Sequence, residues 1–493
     1  MKSLIFLIIL SLFSKITGLF RDLSIGFVFG PGEILDAYII SMMIPSIILD
    51  LMSVAVNSCY IPLHKKFYNK NASILIVIFI SCLVISALLS IVIYFTNKNV
   101  IYYLVSDAES VNYEHIKYFL FPVSIFVFTS IFSEFFKSIL VCENKVKYIP
   151  VITIFSNLVF IIFIYMLNEY FGYPTIAYGY CALAFVQLFL GTFLSKKYIT
   201  ISVSDLNRLS LKKIKLFVFK FLILMLPISI GSITNQLNKA VDKYLAVQFE
   251  PGSLSQLYFS QQLYAVLIGI FVVNVVMYYY PRICSDINNE KVFNVIDEAA
   301  YFLSFISLVI FICSFFYSKE LISLIMGYGK LEGSISEISS IFICYSFGLS
   351  FEAINAIYKR VYWAKGNTAT PVKITIFSVF INIIISVVLS KYIGLYGIII
   401  ATILSNLISC MLLAYCLSYN YKMKLNFYKY LMFDFITFLP IIFIVNKYIE
   451  SIHIDANLNI ILCFVNFIFG FLFYLTRRYS LEKKTKYSIS VRM

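Results

Sequence analysis

Five charged side chains fall within the first two long apolar segments of the sequence: Lys15, Arg21, Asp22, Asp36 and Asp50. Charged groups at membrane depth are costly, and they usually face a bundle interior or a water-filled cavity. Lys15 lies about twelve residues into its segment, ~18 Å along a helix, which places it near mid-membrane. Since Arg and Lys are the phosphate-binding side chains, Lys15 and Arg21 predict a cationic cavity wall that contacts an anionic substrate.

Asp36 has two interpretations. A short turn, Gly30-Pro31-Gly32, brings Arg21 back towards this carboxylate. Asp36 could therefore belong to the substrate site, or it could be only a counter-ion. In the structural alternative, Arg21 pairs with either Asp22 or Asp36.

The seventh apolar segment carries a polar face, because Asn235, Lys239 and Asp242 follow i, i+4, i+7 spacing. A cation site built on Asp242, with help from Asn382 or Thr402, is one hypothesis. The alternative is a Lys239–Asp242 pair that lines the cavity.

Charges also recur near two helix ends that the sequence places by the cytoplasm. They are Glu134 with Lys137, and Glu352 with Lys359 and Arg360. Gate or anchoring ion pairs are favoured over substrate contacts for both groups.

The composition is that of a membrane protein: 61% of the 493 residues are hydrophobic, only 13% are charged, and the mean hydropathy is +0.90. Soluble proteins average about 25% charged residues.

The ten cysteines lie almost all in apolar runs without a C-x-x-C pair, so they indicate small core residues and no metal site. No nucleotide-binding loop or catalytic triad appears. A transporter without a cofactor is expected, coupled to the membrane potential, to a monovalent cation or to consumption of its product.

Fourteen segments are long and apolar enough to cross about 30 Å of hydrocarbon. The predicted fold is an all-α polytopic membrane protein with fourteen transmembrane helices. The segments are 3–29, 33–61, 73–95, 115–140, 148–168, 174–195, 214–247, 253–280, 294–317, 337–362, 371–391, 394–418, 429–447 and 457–476.

The distribution of basic residues predicts the orientation. With the N-terminus in the cytoplasm, the inner loops and tails hold 28 Lys and Arg residues and the outer loops hold six. This asymmetry predicts a multi-pass protein of the bacterial inner membrane with both termini cytoplasmic. It also explains the net charge of +14 through topology and attraction to anionic membrane lipids. No basic soluble domain is present that would indicate nucleic-acid binding.

An internal repeat relates two halves of the chain. The stretch from Phe29 to Tyr38 recurs 220 residues later from Phe249 to Tyr258, and Ile152–Ser156 recurs as Ile374–Ser378. The repeat predicts an N-terminal six-helix lobe over 1–195, a cytoplasmic linker over 196–213 and a C-terminal six-helix lobe over 214–418. Helices 13 and 14 over 419–476 and a basic cytoplasmic tail over 477–493 follow. Transporters with parallel repeats bind substrate between the halves and alternate access by rocking.

Several motifs carry a family resemblance. Ser14-Lys15-Ile-Thr-Gly18-Leu-Phe-Arg21-Asp22 resembles the opening of the MurJ (MviN) lipid II flippases of the MOP superfamily, and Thr370-Pro371-Val372-Lys373 resembles that family's loop before span eleven. The resemblance implies movement of an undecaprenyl-pyrophosphate-linked glycan from the inner to the outer leaflet for peptidoglycan synthesis. It also implies cell-wall synthesis enzymes as partners.

The resemblance assigns substrate-binding roles to Lys15, which is an arginine in the usual family pattern, and to Arg21 and Asp36. Lys239, which could replace a missing cation, and Gln262 complete the predicted substrate-binding set. The chain departs from the family pattern at two positions: the family has arginine near Asp50, and Gln262 stands where an arginine is expected. A flippase for another lipid-linked glycan, such as an O-antigen or capsule unit, is therefore the main alternative. A MATE-type cation-coupled drug exporter is less favoured, because the predicted cavity is basic.

Overall fold

The computed structural model describes residues 2–53, 83–95, 113–198, 233–287 and 291–421, together with residues 80, 99 and 289. Every regular element in these ranges is helical. The all-α membrane fold predicted from the sequence is therefore confirmed for the described part of the chain.

The first half contributes six described helices. The second of them contains a turn at Met42. Their bounds are α1 Lys2–Phe29, α2 Glu33–Ser53, α3 Leu83–Phe95, α4 Tyr113–Cys142, α5 Tyr148–Phe171 and α6 Thr175–Ser195.

The second half contributes a further six described helices. The helix over Ser253–Asp286 is interrupted by a π-helical turn at Ile268–Val272, a feature that the hydropathy of the segment does not predict. The bounds are α7 233–246, α8 Ser253–Asp286, α9 Lys291–Met326, α10 Ile335–Ala364, α11 Ala369–Ile393 and α12 Leu395–Tyr421.

Nine helices in the described ranges are long and apolar enough to cross a bilayer: α2, α4, α5, α6, α8, α9, α10, α11 and α12. Predicted spans thirteen and fourteen, 429–447 and 457–476, lie outside the described residues, as does most of the third and seventh spans. The count of fourteen therefore stays a prediction.

The chain divides into two compact units. The first comprises 1–256 with 329–331, and the second comprises 257–328 with 332–493. In the first unit α6 packs on α4 and α5, and α1 packs on α5. In the second, α9 packs on α10, while α12 packs on α10 and α11.

Close backbone approaches fix the turns at one end of the first unit. Gly252 has φ 93°, and a Cβ there would lie 3.4 Å from the Gly32 nitrogen in the repeat-related turn. Gly329 has φ 62°, and a Cβ added there would lie 2.4 Å from the carbonyl oxygen of Phe27. A side chain at Gly329 would therefore force α1 and the 329–331 segment apart.

Large apolar side chains are exposed in stripes that suit a lipid environment. On α6, Phe185, Phe189 and Phe193 repeat every four residues, and each is more than half exposed. This spacing puts them on one helix face. The exposed face agrees with the membrane assignment made from composition, since lipid covers such a stripe at no cost.

Candidate functional site

Arg21 and Asp22 form an ion pair on α1. Arg21 Nη2 lies 2.8 Å from Asp22 Oδ1, and Nε donates to the same oxygen at 3.0 Å. The Tyr180 ring of α6 lies 5.3 Å from the guanidinium carbon, and its hydroxyl donates to Asp22 Oδ1 at 3.4 Å. Asp22 is buried, whereas the Arg21 side chain is 23% exposed. The structure thus selects Asp22 from the two partners that the sequence left open.

Lys15 is exposed on the same helix, six residues before Arg21. The segment between them is tied to α5, because Asn157 Nδ2 donates to Thr17 Oγ1 at 3.3 Å. Thr17 Oγ1 in turn donates to the carbonyl oxygen of Ser14 at 3.0 Å. These bonds fix the part of α1 that carries both predicted cavity cations.

Asp36 is completely buried on α2 and accepts hydrogen bonds from the start of α8. Its Oδ2 accepts from the Gly252 N–H at 2.7 Å, and its Oδ1 accepts from the Ser255 N–H at 2.8 Å and from the Ser255 hydroxyl. A carboxylate at a helix N-terminus satisfies free N–H groups and is stabilised by the helix dipole. Asp36 therefore caps α8 and links the two repeat-related turns.

Asp50 faces α7, where its Oδ2 accepts a hydrogen bond from Gln236. Lys243 lies within electrostatic reach of both Asp50 and Lys239. Lys239 itself is exposed. Asp50 is thus an acidic position on α2 with one lysine of α7, Lys243, within its electrostatic reach.

The polar face predicted for α7 is divided by burial. Asn235 and Lys239 are exposed, whereas Asp242 is buried. No ion pair between Lys239 and Asp242 is seen in the described part of the chain. Among the same residues, the Oδ1 atoms of Asn238 and Asp242 have no hydrogen-bond partner, and these two residues are one turn apart.

The other two members of the predicted cation site contact each other in the second unit. Asn382 Nδ2 donates to Thr402 Oγ1 at 3.2 Å and to Ser405 Oγ at 3.1 Å. The Asn382 side-chain oxygen accepts from Ser386 at 3.2 Å. Gln262 of α8 is half-buried in this unit, and its neighbour Gln261 donates to the Tyr345 hydroxyl at 2.9 Å.

The charges at the predicted inner helix ends are arranged differently in the two halves. Lys137 is buried and donates to Glu134 at 2.8 Å and to Gln187 at 2.7 Å. Glu352 accepts a hydrogen bond from the Tyr264 hydroxyl at 2.8 Å. Arg360 stacks on the Trp363 ring at 4.5 Å and on the Tyr280 ring at 5.1 Å. An ion pair is thus seen for Lys137, whereas Arg360 contacts aromatic rings.

Sequence reasoning missed three partners of these charges: Tyr180, Gln187 and Ser255. Tyr180 and Gln187 are polar residues in an apolar span, which is a signal that such groups have a role. Ser255 lies in the second copy of the repeat, but a repeat relates positions and does not predict that the copies touch.

Comparisons with known proteins give the family. The model of the family described as lipid II flippase MurJ matches residues 25–459. The chain is 25% identical over 387 residues to a probable lipid II flippase MurJ of Aquifex aeolicus, which covers 76% of this chain and 74% of that protein. It is 27% identical over 399 residues to the probable lipid II flippase MurJ of Buchnera aphidicola subsp. Baizongia pistaciae, covering 76% and 75%.

Solved structures show the same fold. A lipid II flippase MurJ in an inward closed conformation matches with a TM-score of 0.77 and 22% identity, over 96% of this chain and 99% of that one. An inward-facing MATE family multidrug transporter of the MOP superfamily matches with a TM-score of 0.67 and 14% identity, over 81% and 92%. Because the family model matches most of its length, the chain belongs to the MurJ lipid II flippase family.

Proposed function

We propose that this protein moves lipid II, an undecaprenyl-pyrophosphate-linked sugar precursor, from the inner to the outer leaflet for peptidoglycan synthesis. The observation that carries the proposal is the family match over residues 25–459. A transporter of this kind needs no catalytic centre. Its work is to accept an anionic headgroup on one side of the membrane and to release it on the other.

Arg21 supplies the cationic contact in this mechanism. Asp22 and Tyr180 hold its guanidinium, so the cation is oriented before substrate arrives. A phosphate group that meets this cation therefore loses little side-chain entropy in forming a charge-assisted contact. Lys15 is the second cation, and Lys239 on α7 is a third that could replace the arginines missing near Asp50 and at Gln262.

Asp36 has a positioning role in the same mechanism. It joins α2 to the turn that begins α8, and all of these contacts lie within the first compact unit. The buried carboxylate satisfies N–H groups that would otherwise be unpaired, so it holds this end of the unit in one arrangement.

The test is rescue of cells depleted of their resident lipid II flippase. The parent chain should restore growth, and Lys15→Ala and Arg21→Ala should abolish rescue while the protein stays in the membrane. Arg21→Lys should keep part of the activity, because a point charge replaces some of the bidentate contact. Rescue at parent level by both alanine variants would show that the cationic wall is not used.

The same assay separates lipid II from another lipid-linked glycan. Lys239→Ala should lower rescue, and Gln262→Arg should be tolerated or should raise lipid II transport. A silent Lys239→Ala together with an inactive Gln262→Arg would favour an O-antigen or capsule unit as the cargo.

We also propose coupling to the membrane potential or to a monovalent cation, with Asp242 on α7 as the candidate cation-binding residue. The buried, unpartnered Oδ1 of Asp242 supports this role, since an oxygen without a donor suits a cation. Asp242→Asn should remove any dependence of flipping on Na⁺ or K⁺ in proteoliposomes. Unchanged cation dependence in this variant would exclude Asp242.

The proposed orientation has both termini in the cytoplasm. A cysteine introduced at position 485 should be protected from a membrane-impermeant thiol reagent in intact cells, whereas one at position 455 should react. The introduced cysteines are tested in a variant whose reactive native cysteines have been replaced. Cys284, which is exposed, is the first of these to replace. Labelling at 485 from outside would reverse the assignment.

A further inference from the structure

Arg360 stands apart from the other cations of the described structure by the way it is held. Its guanidinium carbon lies 4.5 Å from the centre of the Trp363 ring and 5.1 Å from that of Tyr280. Trp363 follows one turn later on α10, and Tyr280 comes from α8. Two rings on two helices therefore fix one guanidinium.

The donors of this guanidinium are not used within the described structure. Arg360 is half-buried, and among the described residues its contacts are the two rings and no hydrogen bond or ion pair. Guanidinium carries five N–H donors, and stacking on aromatic faces leaves these donors at the edge of the plane. A partly desolvated cation with its donors unfilled is poised for an anionic oxygen ligand.

The surroundings place this guanidinium near a membrane–water interface. Just beyond it, Lys365 Nζ donates to the carbonyl oxygen of Ile287 at 2.8 Å and lies 5.5 Å from the Tyr421 ring. The ends of α8, α10 and α12 thus meet at one level. Trp and Tyr concentrate at the headgroup region of membranes, and Lys and Arg favour its cytoplasmic side.

The next helix provides an apolar stripe for a hydrocarbon chain. Helix α11 begins at Ala369, six residues after Trp363. It exposes Val372, Ile376 and Phe380 at intervals of four residues, so they lie on one face. A cationic site at the interface, followed along the chain by an exposed apolar face, matches a lipid with an anionic headgroup.

We propose that Arg360, braced by Trp363 and Tyr280, binds the phosphodiester headgroup of an anionic phospholipid of the inner leaflet. The inner-leaflet assignment rests on the orientation proposed above. The bound lipid would fill the unused donors of the guanidinium and would cover the apolar face of α11. This lipid is a resident of the protein and is distinct from the transported cargo.

The sequence offers a direct reporter, because Trp363 is the only tryptophan among the 493 residues. Its fluorescence in the purified full-length protein reports on the Arg360 site without a label. Phosphatidylglycerol and phosphatidylcholine with brominated acyl chains are titrated separately into protein held in phosphatidylcholine–detergent micelles. Bromine quenches tryptophan only at short range, so quenching measures how often each lipid occupies the site.

The expected result is tighter apparent binding of phosphatidylglycerol by about tenfold, the size of one charge-assisted hydrogen bond. Arg360→Gln should remove this preference. Arg360→Lys should keep part of it, because the charge remains and the fork of donors is lost. Both variants are first compared with the parent by size-exclusion chromatography, so that a misfolded variant is recognised.

Arg282→Gln is the matched control. Arg282 also stacks on a tyrosine, at 4.5 Å from the Tyr278 ring, but its Nη2 already donates to the Tyr278 hydroxyl at 2.6 Å. The control variant should keep the parent's preference for phosphatidylglycerol.

Four results would overturn the proposal. One is equal quenching by the two lipids, and another is an unchanged preference in Arg360→Gln. The third is displacement of the brominated phosphatidylglycerol by equimolar undecaprenyl pyrophosphate, which would assign the site to the cargo. The fourth is its displacement by millimolar inorganic phosphate, which would make it a site for free phosphate. The measurement contains no flipping step, so a failure of the proposed transport function would leave its outcome unchanged.

Discussion

Lys137 and Lys359 occupy equivalent positions in the predicted repeat, 222 residues apart, yet their surroundings differ. Lys137 is buried between Glu134 and Gln187, which accept its hydrogen bonds. Lys359 is half-buried beside Arg360, and the nearby Glu352 accepts a hydrogen bond from Tyr264. Lys137 is thus hydrogen-bonded to a carboxylate and an amide, whereas the neighbour of Lys359, Arg360, is held against aromatic rings.

This difference separates a structural role from a binding role. A lysine bonded to a carboxylate and an amide inside a helix bundle stabilises one arrangement of α4 and α6, because any movement would break both bonds. A guanidinium held by rings keeps its orientation and leaves its donors available. Arg360 lies one position beyond the predicted equivalent of Lys137, where the first half has Ser138. The residues around each cation therefore decide whether it braces the fold or leaves its donors available to a ligand.

The largest effect is expected from removing one member of the buried pair. Lys137→Met leaves Glu134 as an uncompensated carboxylate, and such a change costs about 3 kcal/mol, near the lower end for buried pairs because Glu134 is 22% exposed. The measurement is reversible unfolding of the purified protein in mixed detergent. The double variant Glu134→Gln, Lys137→Met should regain most of the loss. If it is no more stable than Lys137→Met, the cost comes from packing and the pair is not the cause.

A smaller loss is expected at Asp36, another buried and hydrogen-bonded charge of the first half. Asp36→Asn keeps one acceptor oxygen but places an amide group against N–H donors of α8, which should cost about 2 kcal/mol. Ser255→Ala is the matched control, because it removes only the hydroxyl donor and should cost about 1 kcal/mol. A loss at Asp36→Asn no greater than at Ser255→Ala would show that the charge contributes nothing to the cap.

The sequence predicted the helices better than it predicted their partners. Predicted span 174–195 is observed at Thr175–Ser195, and span 371–391 at Ala369–Ile393. Gly172 and Pro174 stand just before the first of these helices, and Gly394 follows the second. Such residues mark where an apolar helix can begin or end. Local pattern was therefore sufficient for these elements.

Long-range partners could not be predicted in the same way. Asp36 was expected to face a cation or the substrate, and its observed partners are the N–H groups of Gly252 and Ser255, more than 200 residues away. The repeat related these turns without indicating contact, since symmetry-related segments meet only when they lie near the axis. The division of the α7 face, with Asp242 buried and Lys239 exposed, likewise depends on neighbouring helices. The roles of these residues in substrate binding stay predictions.

The smallest effect is expected at Arg360, and it bears most directly on the difference between the halves. Arg360→Gln removes two ring contacts and no hydrogen bond seen in the described structure, so it should cost about 1 kcal/mol, between the values for exposed and desolvated cation–π pairs. The measurement is the unfolding assay used for Lys137→Met, first without added phospholipid. A loss as large as that of Lys137→Met would mean that Arg360 has a buried partner, and the distinction between a bracing and a binding cation would fail.

The same unfolding assay is repeated with added phosphatidylglycerol. The lipid should stabilise the parent more than Arg360→Gln, because a ligand that binds only the folded state adds its binding free energy to the stability.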